Sequence, residues 1–457
     1  MKLTQKLTIN LAAAIMLLSG FASSAYGAEP IDEVRDYVEN FYVDKVDDSV
    51  LHLPTIDEML SKLDPYSTHF TAEEYQQFMN AINQSYVGIG IGLDQQEQQT
   101  VIPTVYPDSP ADRAGLEEGD IIVFIDGKTT LGLTIEEIAQ LLQGEANTKV
   151  SLAIQRGEET KSFEVTREEI IFPTVIAEPL AGNAGYIYIA SFNEDTVPEL
   201  QQALAEMPGV EHWIVDLRDN PGGYVDSALE MLGMFPTIRT ALIVENRGKR
   251  EYYRAIPQQR KFAGPVALLT NENSASSSEI VAGALKATNN ATLYGQTTFG
   301  KGLMQSLFEL QNGDVLKLTT YRFYTPKGEV IQQTGISPHV KTDTPLEDAH
   351  EAWLEAKYKT YKEWPNLQDV EPTKSFTVTF PTTVNGRSLI GNKIELIELG
   401  GQAVPISLKQ TNLRQVTIQP TEPLKPHGEY MVVVHPGWKT FKGKEMKSGN
   451  MVEVAVQ

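Results

Sequence analysis

The spacing of apolar residues changes along the chain and divides it into regions. Near the start, Ile31, Val34 and Val38 recur at steps of three and four residues, which predicts an amphipathic helix. A break at residues 63–66 separates this helical stretch from another. From residue 86 to about 167, short apolar runs surround one helical stretch instead. The pattern therefore predicts a helical region followed by a small domain built mainly of β-strands.

Between residues 185 and 340, runs typical of strands alternate with stretches typical of helices. The strand-like runs are 185–190, 213–217 and 266–269, and the helical stretches after them are 197–206, 227–234 and 278–287. This alternation predicts an α/β layer fold with a mixed sheet and helices. Residues 346–365 are charged and helical in pattern. After Pro372, short strands separated by turns predict a small all-β sandwich.

The first 27 residues have the pattern of a secretory signal peptide. Lys2 and Lys6 give a positive start, an unbroken apolar run covers residues 11–18, and small residues follow up to Gly27. The apolar run is shorter than the roughly 20 residues that a membrane-spanning helix needs. We therefore predict cleavage after Gly27 and export to the bacterial cell envelope or the extracellular space. The alternative is an uncleaved signal anchor.

Composition narrows the possible chemistry. The net charge of −22, from 38 Lys and Arg against 60 Asp and Glu, argues against a nucleic-acid-binding protein, which needs a basic surface. The chain contains no cysteine, which excludes disulfides, thiolate metal sites and a cysteine nucleophile. The histidines are scattered, and His350-Glu351 lacks the second histidine of a zinc-peptidase helix. The sequence implies no metal and no organic cofactor.

A serine cluster lies in the segment 270–280, between a predicted buried strand and a predicted helix. A serine at such a turn is exposed at the edge of the sheet. The N-terminus of the following helix offers unpaired N–H groups to the oxyanion of an acyl-transfer reaction. The segment is therefore a candidate for a nucleophile. The alternative is that Ser276, Ser277 and Ser278 only cap the helix.

A lysine between two glycines follows in the segment 298–305. The glycines let the backbone approach closely, so that the Lys301 side chain can point inward. Burial would lower its pKa from about 10.4 towards neutrality, as a general base requires, and Gln305 could orient the neutral amine. The alternatives are a flexible hairpin with a solvated lysine and a phosphate-binding loop. The second fails at Gly302, where a Ser or Thr hydroxyl is required.

A third segment, 213–223, is a hydrophobic strand that ends in the turn Pro221-Gly222-Gly223. Ligands of α/β proteins bind at the carboxyl ends of the strands. The exposed N–H groups of this turn could therefore meet an oxyanion, and an ordinary tight turn is the alternative.

These three segments, in this order, resemble the C-terminal processing (tail-specific) serine peptidases. The shared motifs are the serine run that ends in Glu279, the Phe-Gly-Lys-Gly around Lys301, and a glutamine four residues beyond the lysine. The resemblance covers roughly residues 30–345. It implies that Ser276 is the nucleophile, that Lys301 is the general base and that Gln305 positions the lysine.

The same resemblance implies the oxyanion donors. They are the N–H of Gly222 or Gly223 together with the N–H of Ser277. Ser277 departs from the family, which usually has alanine there. Since only its backbone N–H is required, we expect no loss from this change. His339 replaces an acidic residue far from the proposed chemistry.

Residues 86–167 resemble a PDZ domain. Its peptide-binding loop is formed by Tyr86, Val87, Gly88, Ile89 and Gly90. The resemblance implies that consecutive backbone N–H groups hold a C-terminal carboxylate while the peptide adds to the sheet edge. Proteins or peptides with free C-termini are therefore the expected substrates.

Residues 371–457 resemble a bacterial Ig-like module. This segment has 10 Lys and Arg against 7 Asp and Glu, and Lys439, Lys442, Lys444 and Lys447 lie close together. We expect them to attract anionic cell-envelope polymers. The alternative is that they only keep the surface soluble and protect a sheet edge. We also expect peptide cleavage to survive removal of the module.

The sequence thus predicts an exported serine endopeptidase with a Ser–Lys dyad that cuts proteins near their C-termini under PDZ control. The alternatives are a catalytically inactive PDZ scaffold and a surface-adhesion protein. The family resemblance also implies a homodimer formed through the N-terminal helices, residues 29–84. The predicted divisions are the signal peptide 1–27, the helical region 28–84, the PDZ domain 85–168, the peptidase core 169–345, a helical linker 346–370 and the Ig-like sandwich 371–457.

Overall fold

The computed structural model describes residues 30–96, 98–391 and 393–457. The predicted signal peptide, residues 1–27, lies outside the described residues. The chain forms two compact units, one with the residues up to His69 and 175–457, the other with residues 70–174. Within the described ranges, no helix is long and apolar enough to cross a membrane.

The first unit contains a central sheet with helices packed against it. The strands, in spatial order, are Val175–Leu180, Ala184–Ile189, His212–Asp216, Val266–Thr270, Thr292–Gly295 and Val340–Lys341. The first pair is antiparallel, and the later neighbours are parallel. The associated helices are the 3₁₀ turn Ala181–Asn183, Thr196–Glu206, Val225–Leu232 and Ser277–Ala287. The sequence prediction of an α/β core with a mixed sheet is confirmed.

A second, antiparallel sheet in the same unit contains the strand that follows the lysine segment. Val315–Tyr324 lies between Leu303–Glu309 and Thr240–Asn246, and Lys249–Arg254 pairs with the latter. The sequence pattern did not predict these strands.

The N-terminal helices pack on this second sheet. They are Pro30–Phe41, Asp48–Leu51 and Ile56–Leu60, and the short strand Thr68–Phe70 follows. Val34 and Val38 are fully buried and belong to one apolar cluster with Phe308, Leu316 and Leu318 of the sheet. The predicted amphipathic helix is confirmed, and its apolar stripe faces the chain's own core.

The second unit is a small β-rich domain. Its sheet is formed by Asp94–Gln96, Gln99–Val101, Ile121–Ile125, Lys128–Thr129, Lys149–Arg156 and Glu159–Thr166. The strands Ser85–Gly88 and Glu168–Ile171 form a separate antiparallel pair, and the helices are Ala72–Asn83, Pro110–Ala114 and Ile135–Leu142. Thr134 and Glu137 form a reciprocal capping box at the start of the last helix, and Ile138 and Leu142 are buried on its inner face.

Residues from 362 onward form two sheets with an apolar core between them. The first contains Lys362–Glu363, Leu367–Val370, Ile394–Glu398, Glu429–Val434 and Asn450–Val456. The second contains Phe376–Thr379, Ile406–Asn412 and Gln415–Pro420, and a 3₁₀ turn covers Gly386–Leu389. The predicted all-β sandwich is confirmed.

The helix predicted over residues 346–365 is shorter than expected. It spans Pro345–Lys357, and Leu367–Val370 is a strand that pairs with Asn450–Val456. The reason is tertiary: the N–H of Trp364 donates to the Met451 carbonyl at 2.8 Å, so the segment joins the sheet of the sandwich.

The same helix packs against the sandwich. Its Leu354 and the adjoining Tyr358 share one buried cluster with Ile397, Met431 and Val433. Removing the sandwich would expose this apolar face. That peptide cleavage survives this removal therefore stays a prediction, which requires that the exposed face does not destabilise the core.

Candidate active site

The serine cluster lies at a strained turn. The strand Val266–Thr270 ends just before it, and the helix Ser277–Ala287 begins just after it. Ser276 occupies the turn with φ 56° and ψ −112°, in a region that side chains other than glycine rarely adopt. Ser274 is bound to the neighbouring strand end, because its hydroxyl donates to the Leu217 carbonyl at 2.7 Å. The turn therefore holds Ser276 at the carboxyl edge of the central sheet.

The Glu279 carboxylate joins the serine turn to the lysine turn. One oxygen, Oε2, accepts the backbone N–H of Ser276 at 3.0 Å and that of Lys301 at 2.7 Å. The other, Oε1, accepts the Thr298 hydroxyl at 2.6 Å and the Gly300 N–H at 2.7 Å. Glu279 is fully buried, so these charge-assisted bonds compensate for its lost hydration. They place the backbones of the two predicted catalytic residues around one carboxylate.

Lys301 lies in a pocket that disfavours its charged form. Burial, together with the positive charge of Lys317, lowers the pKa of its ammonium to about 8, although the charges of Glu279 and Asp64 oppose the shift. The Nζ atom lies 5.1 Å from the centroid of the Tyr66 ring. In the described part of the chain, no hydrogen bond joins Lys301 Nζ to Ser276 Oγ. Proton-transfer contacts of this kind often shorten only when substrate binds.

Gln305 lies in the same region but has another partner than predicted. Its Nε2 donates to Thr319 Oγ1 at 3.2 Å, and that hydroxyl donates to Asp64 Oδ1 at 3.0 Å. No hydrogen bond between Gln305 and Lys301 is found among the described residues. The predicted contact is therefore replaced by a relay from Gln305 through Thr319 to Asp64.

The loop 64–67 is the part of the site that the sequence analysis missed. Asp64 Oδ1 accepts the N–H of Tyr66 at 2.8 Å and that of Ser67 at 3.0 Å, and the Ser67 hydroxyl donates to Oδ2 at 2.7 Å. The loop is thereby folded around the carboxylate, with the Tyr66 ring on the side of Lys301. The only local signal was an Asp-Pro break between helices, which is typical of many turns.

The Gly222-Gly223 turn lies directly against the serine turn. A Cβ atom on Gly222 would lie 2.8 Å from the Ala275 carbonyl oxygen and 2.9 Å from Ser276 Cβ. A Cβ on Gly223 would lie 2.1 Å from the Phe192 carbonyl oxygen. Both positions therefore require glycine.

The structure distinguishes between the two glycines as oxyanion donors. The N–H of Gly222 donates to Asn220 Oδ1 at 2.8 Å and is therefore occupied. The N–H groups of Gly223 and Ser277 have no hydrogen-bond acceptor among the described residues. Of the pair predicted from the sequence, Gly223 is thus the one whose N–H is available together with that of Ser277.

The predicted peptide-binding loop borders a cavity of about 170 Å³ in the second unit. The cavity is lined mostly by apolar and aromatic side chains: Tyr86, Ile89, Ile91, Leu93, Tyr106, Ala139, Leu142, Gln143 and Phe172. Of the five predicted residues, Tyr86 and Ile89 line it. Val87 and Gly88 lie in the strand that pairs with Glu168–Ile171. Gly90 follows with φ 78° and accepts the Tyr106 N–H at 3.1 Å.

The Tyr86 side chain folds back over this loop. A Cβ on Gly88 would lie 2.4 Å from Tyr86 Cε2, which explains the glycine there. The ring stacks on Phe172 with 5.8 Å between centroids. Burial raises the pKa of the Tyr86 hydroxyl, and the facing N–H groups of Gly90 and Ile91 oppose that rise. The N–H groups of Gly90 and Ile91 therefore point toward the hydroxyl of Tyr86, a residue that lines the cavity.

Three family profiles match the chain. Peptidase family S41 matches residues 183–342, a PDZ domain matches 101–156, and a bacterial Ig-like domain matches 365–452. These matches confirm the predicted fold class, with an α/β peptidase core, a PDZ domain and an Ig-like sandwich.

Curated relatives match most of the chain. A probable CtpA-like serine protease of Staphylococcus aureus is 34% identical over 376 residues, which cover 80% of this chain and 72% of the relative. A protein of the same name from Staphylococcus epidermidis is 35% identical over 317 residues, 68% of this chain and 63% of the relative. The solved structure of a photosystem II D1 C-terminal processing protease is 26% identical, with a TM-score of 0.45 over 69% of this chain and 93% of that one.

Proposed function

The chain belongs to the CtpA-like serine proteases of peptidase family S41, and from this premise we propose that it is an exported endopeptidase in which Ser276 and Lys301 form the catalytic dyad. Membership makes it a serine-type peptidase of the C-terminal processing kind. The observation that carries the dyad is the buried Glu279 carboxylate, whose Oε2 atom binds the backbone N–H of both residues.

In the proposed acylation step, the neutral amine of Lys301 accepts the hydroxyl proton of Ser276 as Oγ bonds to the carbonyl carbon of the substrate. The negative charge that develops on the carbonyl oxygen faces the free N–H groups of Gly223 and Ser277. The carbon–nitrogen bond then breaks, and the Lys301 ammonium returns the proton to the leaving amine. The products are the C-terminal fragment and an acyl-enzyme ester on Ser276.

In the proposed deacylation step, a water molecule attacks the ester carbon and gives its proton to Lys301. The ester bond breaks, Lys301 returns the proton to Ser276 Oγ, and the shortened substrate leaves as a carboxylic acid that loses its own proton to water. A lysine can act in both steps only if it loses its proton near neutral pH. The lowered pKa of about 8 for Lys301 supports this role.

Substitution of each dyad residue tests the assignment. We expect Ser276→Ala and Lys301→Ala to abolish cleavage of a peptide substrate while circular dichroism and the unfolding temperature stay those of the parent. Ser274→Ala, in the same turn, is the comparison. If purified, folded Ser276→Ala cleaves at the parental rate and Ser274→Ala does not, the nucleophile is assigned wrongly.

For substrate selection, we infer that the PDZ domain binds free C-terminal tails. The apolar cavity is suited to an apolar terminal side chain, and the N–H groups of Gly90 and Ile91 are suited to a carboxylate. Amidation of the tail removes that charge and its charge-assisted hydrogen bonds. We expect the amidated form of a cleaved peptide to react about tenfold more slowly.

The control for tail recognition is a short peptide that contains the same cleaved bond but is too short to reach a second site. Its rate should not depend on amidation. Equal rates for the free and amidated long peptides would contradict tail recognition and leave the Ser276–Lys301 assignment untouched.

We also propose that the C-terminal module holds the exported enzyme at the envelope. The four clustered lysines are all exposed, so they are accessible to anionic polymers. Because the sandwich shares a core with the helix before it, the test uses glutamine at Lys439, Lys442, Lys444 and Lys447 rather than truncation. We expect the variant to lose salt-sensitive retention on isolated envelope material.

A matched variant with glutamine at four exposed lysines outside the module should keep that retention. These lysines are Lys45, Lys128, Lys249 and Lys327. If both variants lose retention equally, overall charge explains it and the module has no specific role. Export itself is tested by locating the protein in cell fractions.

The homodimer through residues 29–84 stays a prediction. The apolar stripe of the first helix, with Val34 and Val38, is buried within the chain, so a dimer would use exposed side chains such as Phe41, which is 41% accessible. We expect light scattering to show a dimer in the parent protein and a monomer in Phe41→Asp, and a monomeric parent would contradict the prediction.

A further inference from the structure

The two glycines of the oxyanion turn are held differently. For Gly222, the N–H donates to Asn220 Oδ1 at 2.8 Å, and the carbonyl accepts the Phe192 N–H at 2.9 Å. Gly223 has φ 140°, a conformation that only glycine adopts readily, and its N–H is left for the substrate. Phe192 binds the peptide groups on both sides of Gly223, because the Tyr224 N–H also donates to the Phe192 carbonyl at 2.7 Å, and these bonds leave the Gly223 carbonyl oxygen without a backbone donor among the described residues.

The Ser277 side chain supplies a donor to the Gly223 carbonyl. Its hydroxyl donates to the Gly223 carbonyl at 2.9 Å, and no other donor to this carbonyl is found within the described ranges. Ser277 is fully buried, so its hydroxyl is shielded from exchange with bulk water. Ser277 thus offers one oxyanion N–H from its backbone. Its side chain binds Gly223, which offers the other N–H.

We propose that Ser277 is a positioning residue of the oxyanion hole, whose hydroxyl orients Gly223 so that the two N–H groups converge on one oxygen atom. This rests on the proposed Ser276 mechanism. It goes beyond the expectation that serine in place of the family's usual alanine causes no loss, because it gives the serine hydroxyl a role of its own. Alanine would leave the Gly223 carbonyl without its donor, so that only the backbone bonds to Phe192 would hold this part of the turn.

The first test compares Ser277→Ala with Ser227→Ala. Ser227 is also buried, and its hydroxyl has no hydrogen-bond partner among the residues that the structure describes, so this control removes a similar atom without breaking a bond. A full oxyanion donor is worth about 100- to 1,000-fold in kcat. Since Ser277→Ala displaces a donor rather than removing it, we expect a smaller loss in kcat, about 10- to 30-fold, with KM unchanged. The unfolding temperature should match that of the control.

The second readout is inhibition by a peptide aldehyde built on the N-terminal product of a cleaved peptide. Ser276 Oγ adds to the aldehyde carbon, and the resulting oxyanion occupies the hole. The inhibition constant should rise in Ser277→Ala by the same factor by which kcat falls. A role in folding alone would lower the unfolding temperature without this parallel change. Parental kcat and parental aldehyde inhibition in Ser277→Ala would overturn the proposal.

If Ser277→Ala does not fold, the same measurements on Ser277→Cys test the proposal. A thiol keeps most of the volume but is a weak donor. Weaker aldehyde inhibition at an unchanged KM supports the proposal, and parental inhibition overturns it. A failure of the proposed function looks different: the parent protein itself would then form no aldehyde adduct, or Ser276→Ala would remain active.

Discussion

The two sides of the active site are built by different means. On the nucleophile side, Ser276 and Gly222 are fixed through backbone geometry, with positive φ angles and hydrogen bonds of 3.0 Å or less. On the base side, the Lys301 backbone is fixed by Glu279, but its amine faces the Tyr66 ring and makes no hydrogen bond within the described residues.

This difference matches what each group must do in the proposed mechanism. The nucleophile and the oxyanion donors must already be in place when charge develops, since reorganisation during the reaction would raise the barrier. The base must exchange a proton with a serine, a leaving amine and a water molecule. An amine that no strong acceptor holds can lose its proton at moderate pH and reach each partner in turn. The site therefore has one rigid side and one side that is tuned mainly by its surroundings.

The largest effect is expected where the two sides meet. Glu279→Gln keeps the size of the side chain but turns an NH₂ group toward backbone donors. We expect kcat/KM to fall about 100-fold, since small displacements of reacting groups cost that much. Peptide cleavage and thermal unfolding measure it, and Glu272→Gln, an exposed change in the same segment, is the control. Parental activity in folded Glu279→Gln would mean that the shared carboxylate is unnecessary.

A smaller effect is expected on the base side. Gln305→Ala removes the first member of the relay to Asp64, and we expect about a tenfold loss of kcat. Thr319→Val, which keeps the shape but not the hydroxyl, should lose less. If the relay acts as a unit, the double variant should be no worse than Gln305→Ala. Additive losses in this double-mutant cycle would show that Gln305 acts on Lys301 without Thr319.

The smallest effect concerns the pH profile. Because only the neutral form of Lys301 accepts a proton, activity of the parent should rise with pH through about 8. The charge of Lys317 lowers that pKa, so Lys317→Met should let Lys301 keep its proton to higher pH and move the rise upward. The measurement is kcat/KM against pH, with Lys249→Met, on an exposed hairpin, as control. A shift to lower pH would contradict the stated electrostatics.

The same contrast explains how far the sequence could predict the site. Ser276, Lys301 and the Gly222-Gly223 turn lie in short motifs whose residue types already point to the chemistry. Asp64 and Tyr66 lie in an ordinary Asp-Pro loop, and Thr319 is one of several threonines. Their importance arises only because packing of the N-terminal helices brings the loop beside residues some 250 positions later, as the hydrogen bond between Thr319 and Asp64 shows.

The fold shows the same difference between features set by local sequence and features set by long-range packing. Three strands and three helices of the core were predicted within a few residues, because buried strands and amphipathic helices have clear local patterns. The other strands of the central sheet, Val175–Leu180, Thr292–Gly295 and Val340–Lys341, were not predicted. The strand Val315–Tyr324 was not predicted, since polar residues interrupt its apolar ones. The helix before the sandwich was predicted too long, because pairing of Leu367–Val370 with the last strand outweighs local helical tendency.

The helix Pro345–Lys357 has a consequence for how such proteins evolve. Its His350 accepts the Gly400 N–H of the sandwich at 3.0 Å and contacts the Ala181 carbonyl of the core at 2.9 Å. With Leu354 and Tyr358 in the shared apolar cluster, the helix belongs equally to both parts. A gene fusion that added or exchanged the sandwich alone would leave this helix face unmatched. An exchange that included the helix would leave its core-facing side, with Ala349, unmatched instead. Wherever the boundary falls, the incoming segment must already fit one side of this helix.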